Sequence, residues 1–98
     1  MSADNGIYVL LTETEKGPEY RVAYAHAISN IYGDYNHDAG IYEGNVKNIV
    51  STFGEAPIFH TLNEALDFAE EMEHNCEHYL EDGVLLITDF KDLSHIFV

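Results

Sequence analysis

His74-Asn75-Cys76-Glu77-His78 sets two imidazoles four residues apart with a glutamate beside the second, the H-x-x-E-H order of inverted zinc proteases. On a helix His74 and His78 would share one face, as joint zinc ligation requires. Hydrolysis would further need a third protein ligand and a walled cleft. Only twenty residues follow His78 in a chain of 98, too few to build that cleft. The pair is therefore read as an adventitious metal site at most, in a segment dense in Glu and His where such a match arises by chance.

A second pattern lies in Gly33-Asp34-Tyr35-Asn36-His37-Asp38-Ala39-Gly40. Asp34, Asn36 and Asp38 alternate like the first three ligands of an EF-hand loop. The pattern then departs: glycine comes one place late at Gly40, and Asn45 stands where a bidentate Glu belongs. A solvated turn is the commoner origin of such a run, because Asp and Asn bond nearby backbone amides.

Nucleophilic and phosphate chemistry find less support. Cys76 falls among carboxylates, which raise a thiol pKa rather than lower it. Ser29, Ser51 and Ser94 lack a glycine elbow, and Gly33, Gly40 and Gly44 are too dispersed for a phosphate-cradling loop. His26, His37, His60 and His95 are scattered. The residues point to no enzyme and require no cofactor.

The feature with most chemical content is a set of carboxylates: Glu64, Asp67, Glu70, Glu71, Glu73, Glu77, Glu81 and Asp82. On a helix they would cover the outer surface. Neighbours three and four apart lie ~5–6 Å apart at Cβ, close to the spacing of successive phosphates along a nucleic-acid strand. Like charges so placed cost a few tenths of a kcal/mol per pair, and no lysine offsets them. A basic partner surface would give that cost a purpose; a merely solvated helix face is the plain alternative.

Eighteen acids against four Lys/Arg give a formal charge of −14. The stretch between Lys47 and Lys91 contains ten acids and no lysine or arginine. Such a charge repels phosphate, which argues against direct binding to DNA, RNA or anionic membranes and favours a cationic partner or metal ions. Acidity also serves solubility alone. The single cysteine excludes an internal disulfide and suggests a cytoplasmic setting. No apolar run approaches the ~18–20 residues of a membrane span, and the first residues lack the features of a secretion signal.

The elements that must carry these groups follow from periodicity. Ile7–Glu13 alternates with two usable faces and reads as a strand. Lys16-Gly17-Pro18 breaks it, and Glu19–Ala25 returns, which predicts an antiparallel hairpin. A short helix is expected over Ala25–Tyr32, and a second over Asn45–Phe53 with Val46, Ile49, Val50 and Phe53 inward and Gly54 ending it. Pro57–His60 reads as a short strand. Thr61 and Glu64 form a capping box. Ala65, Leu66, Phe68, Ala69, Met72, Cys76, Tyr79 and Leu80 then recur at helical spacing, with Gly83 as the stop. Val84–Thr88 is apolar on both faces, hence a central strand. The apolar tail Leu93–Val98 packs back on the domain, adds a strand, or supplies a homodimer contact. The whole is expected to be one α+β domain over 1–98: a small, mainly antiparallel sheet of about four strands with helices on one face.

Asp4-Asn5-Gly6-Ile7-Tyr8-Val9-Leu10, Glu19-Tyr20-Arg21-Val22-Ala23 and Ala25-His26-Ala27-Ile28 resemble the opening of small uncharacterised proteins encoded by bacteriophages. Ile58-Phe59, Glu64-Ala65-Leu66 and Gly83-Val84 are similar to their helix-then-strand ending. In size and charge the chain also resembles anti-CRISPR and anti-restriction inhibitors, some of which mimic DNA. The resemblance transfers no site residue. It implies a non-enzymatic inhibitor in the host cytoplasm, bound through its carboxylates to the basic surface of a nucleic-acid-binding protein such as a CRISPR effector. A small metal-responsive module or a homo-oligomeric accessory protein is the alternative.

Overall fold

A computed structural model describes residues 5–26, 43–77, 79–80, 83–88 and 90–97. Strand β1 (Asn5–Thr14) and strand β2 (Gly17–His26) form an antiparallel hairpin joined by Glu15 and Lys16. Gly17 takes φ +118°, a conformation that a side chain would strain. The Thr14 hydroxyl donates to the Gly17 carbonyl at 2.7 Å and accepts the Lys16 amide at 3.2 Å, closing the turn. Helix α1 (Glu43–Phe53), the short strand β3 (Ile58–Phe59), helix α2 (Leu62–Asn75) and strand β4 (Val84–Ile87) follow. A 3-10 turn spans Ser94–Phe97.

The sheet runs β3-β2-β1-β4, antiparallel except where β4 lies parallel to β1. The fold is thus α+β with a mainly antiparallel four-stranded sheet, as the periodicity implies. The helices pack on both faces of the sheet, not on one. Tyr8, Leu10, Ala25 and Ile87 bury one face against Ile49 and Phe53 of α1. Ile7, Val9 and Val22 bury the other against Ala65 and Ala69 of α2. Successive strand residues point to opposite faces, so a strand apolar at every position must be covered twice. β1, buried from Asn5 to Leu10, is that strand.

Three further elements differ from expectation. Val84–Ile87 is not central: β4 ends the strand order, and Leu85 and Leu86 remain 37% and 39% exposed. Strand β2 continues through Ala25 and His26, where a helix was expected to begin; the remainder of that segment, Ala27–Tyr32, lies outside the described residues. Helix α2 stops at Asn75 rather than near Gly83. Cys76 is extended at φ −80°, ψ 128°, and its amide bonds the Glu73 carbonyl. The last turn holds His74 as its one basic side chain, with Glu73 in it and Glu77 just beyond, so its charges oppose the helix dipole there.

The apolar tail packs back on the domain. Leu93, Ile96 and Phe97 lie against the α1-side core, and Phe90 is fully buried within it. The Glu13 amide donates to the Lys91 carbonyl at 2.8 Å, carrying the contact with β1 beyond the end of β4. No helix among the described residues is long and apolar enough to cross a membrane.

Candidate functional site

The acidic face is positioned by the start of α2. Thr61 is extended, and its Oγ1 accepts the Glu64 amide at 3.2 Å, an N-cap that satisfies one of the helix's unpaired donors. The same hydroxyl donates to Glu64 Oε1 at 2.9 Å. Ala65 and Ala69, both fully buried, let the helix axis approach the sheet closely. Leu66, Phe68 and Met72 complete the seat, and the Phe68 ring stands 5.1 Å from that of Phe59 on β3.

This seating decides where the carboxylates point. Glu64, Asp67, Glu70, Glu71 and Glu73 all lie on α2 and all are exposed. Asp67, Glu70, Glu71 and Glu73 have no ion-pair partner among the described residues. At 1.5 Å rise per residue, Glu64 to Glu73 covers about 14 Å along the axis. Glu77 is exposed too, but two residues past the helix end. Glu81 and Asp82 lie outside the described residues.

The early helix stop also bears on His74 and His78. His74 is exposed in the last turn, whereas the helical spacing needed to bring His78 onto its face ends at Asn75; His78 itself lies outside the described residues. Asp34, Asn36 and Asp38 likewise lie outside them. Among the described residues no three His, Cys, Asp or Glu side chains converge as a metal site would require. Cys76 is a half-buried free thiol.

After α2 the chain turns back onto the sheet. Asn5 Nδ2 donates to the Tyr79 carbonyl at 3.0 Å and contacts the Tyr24 hydroxyl at 3.3 Å. Leu80 packs on the α2-side core, while the Tyr79 side chain is 81% exposed. Gly83, at φ +62°, accepts the Ile7 amide at 2.8 Å and starts β4.

The group that periodicity undervalues is Arg21. Its position opposite Leu10 puts it on the α1-side face, where it is only 6% exposed. Arg21 Nη1 donates to buried Thr12 Oγ1 at 3.0 Å, and Nη2 reaches Glu19 Oε1 at 3.5 Å. The Phe97 ring covers the guanidinium, with its centroid 3.9 Å from the Arg21 carbon Cζ. Burial lowers the Arg21 pKa from its ordinary value, and the Glu19 carboxylate opposes that shift. The sequence signal was Arg21 sharing a side with Ala23 in an alternating strand, a place where a cation must find partners.

Compared with models of known protein families, with curated proteins and with solved structures, the chain matches none of them.

Proposed function

We propose that the protein is a non-enzymatic inhibitor of phage type, which docks the acidic face of α2 on the basic nucleic-acid-binding surface of a host protein. The observation that carries this reading is the set Glu64, Asp67, Glu70, Glu71 and Glu73, all exposed on one helix whose opposite side is seated on the sheet. A cluster held on a packed helix is pre-organised, so little ordering entropy is lost on binding. Asp67, Glu70, Glu71 and Glu73, without cationic partners among the described residues, are open to a Lys/Arg-lined groove. Complementary charge speeds encounter and makes it sensitive to salt.

Size and charge support an anti-CRISPR or anti-restriction role. The test is capture of partners from bacterial lysate at low and at high salt, with and without competing DNA. Recovery of a nucleic-acid-binding protein that both salt and DNA displace supports the reading. Recovery of a partner indifferent to both, or of none, removes it.

A further inference from the structure

A concavity of about 560 Å³ opens between the turn of the β1–β2 hairpin and the C-terminal 3-10 turn. Thr14, Lys16, Glu19, Arg21, Ser94 and His95 line it, with Glu15 and the Phe97 ring at its margin. Its volume falls in the range of small-molecule sites, roughly 300–1,000 Å³. Its lining is balanced in charge, whereas the molecule as a whole is strongly negative. Two of the chain's four Lys/Arg border this one hollow, against two of its eighteen acids. His95 and the Ser94 hydroxyl add further donors, while the Thr14 hydroxyl is already engaged by the Gly17 carbonyl.

Arg21, nearly buried, is the cation of the lining that carries the most donors. It carries five N–H donors. Thr12 takes one at 3.0 Å and Glu19 another at 3.5 Å, the outer limit of a hydrogen bond. The ring of Phe97 covers a face of the group but accepts none of the in-plane donors. A buried cation with donors left over among the described residues, beside a hollow rimmed by Lys16 and His95, is arranged to receive a planar or tetrahedral oxyanion.

We propose that this concavity binds a small ligand through an oxyanion head, a carboxylate or a phosphate, held by Arg21 and Lys16 with Ser94 and His95 as flanking donors. The head group takes over or shares the Nη2 position that Glu19 holds loosely, and the Phe97 ring supplies an apolar flank for the ligand body. Arg21 lies on the α1 side of the sheet and the acidic helix on the other, so this site and the inhibitor surface stand or fall separately.

The test is a two-dimensional amide NMR titration at constant ionic strength with sodium phosphate, sodium acetate and sodium chloride in separate arms. Phosphate, acetate or both shift the amides of Thr14, Lys16, Ser94 and His95 along a saturating curve, with Kd on the order of 1–10 mM for so few ligand atoms. Which arm saturates identifies the head group. Lys16 and His95 are both exposed, so the double variant K16A/H95A keeps the fold and weakens binding roughly fivefold or more. K47A removes one charge outside the hollow and leaves the affinity unchanged. Shifts that chloride reproduces, the absence of saturation in both oxyanion arms, or equal weakening by K47A would overturn the proposal.

Discussion

The Arg21 guanidinium lies beneath the Phe97 ring, 3.9 Å from Cζ to the ring centroid, and this pair ties the hairpin to the C-terminal turn seventy-six positions away. Arg21 shares the α1-side face with Leu10 and Thr12, while Phe97 arrives from the 3-10 turn and covers it. A cation withdrawn from water is costly unless its partners compensate. Here a hydroxyl, a carboxylate and a ring do so together.

Removing the ring exposes that cost. Phe97→Ala loses apolar burial and the cation–π contact at once, and is expected to destabilise the fold by about 2–3 kcal/mol. Phe97→Leu keeps most of the apolar contact and forfeits chiefly the cation–π component, about 1 kcal/mol. Urea melts of the two variants check the order; equal losses would show that packing alone holds the tail.

Asn5 is 3% exposed and holds the Tyr79 carbonyl across the sheet end. Asn5→Ala leaves that carbonyl without its side-chain donor and should cost about 1–3 kcal/mol. The loosening should concentrate at Tyr79, Leu80 and Gly83, beside β1. Faster hydrogen exchange at the Ile7 amide, which bonds Gly83, is the expected signature. Unchanged exchange there would dissociate the Asn5 bond from the anchoring of β4.

At Gly54 a methyl group would meet the Val50 carbonyl oxygen at 2.5 Å, inside any real contact distance. The Gly54 amide already bonds that same oxygen at 2.8 Å, so the backbone there has little room to yield. Gly54→Ala should destabilise by about 1–3 kcal/mol, although alanine is normally the better residue near a helix. A thermal melt reads the sign: a raised Tm would mean that the end of α1 relaxes freely.

On α2, the triple variant D67K/E70K/E71K reverses charge on residues that lie outside the packed seat. It should abolish capture of a basic partner while leaving the fold intact. The substitutions turn the 64/67 and 70/73 spacings into opposite-charge pairs but leave 67/70 and 67/71 like-charged, so stability should change by no more than a few tenths of a kcal/mol at low salt. Undiminished capture would remove the helix from the binding surface, and circular dichroism shows that the variant is folded.

Much of this architecture is legible locally. The hairpin, Gly54 after Phe53, and Thr61 capping α2 are each read from turn and cap chemistry, which acts over three or four residues, although the turn itself lies at Glu15 and Lys16, one step before the Gly17-Pro18 expected to make it. The outward acids of α2 are legible for the same reason: Ala65 and Ala69 recur at helical spacing and leave the carboxylates the other side.

Tertiary structure decided what local pattern leaves degenerate. A run apolar on both faces, such as Val84–Ile87, fits the centre of a sheet as well as an edge. The pairing with β1 alone placed it at the end of the order. Two amphipathic helices can share one face of a sheet or divide between two; β1, apolar at every position from Ile7 to Leu11, required both faces to be covered. Helical spacing continues past Cys76, yet the helix ends at Asn75, and the chain then meets a distant donor at Asn5. The hollow that gathers Lys16, Arg21 and His95 joins residues more than seventy positions apart. Composition and local periodicity by themselves determined a small acidic α+β chain with an outward carboxylate face. Long-range packing determined which faces are covered and where its few cations meet, because those choices depend on contacts that local sequence does not contain.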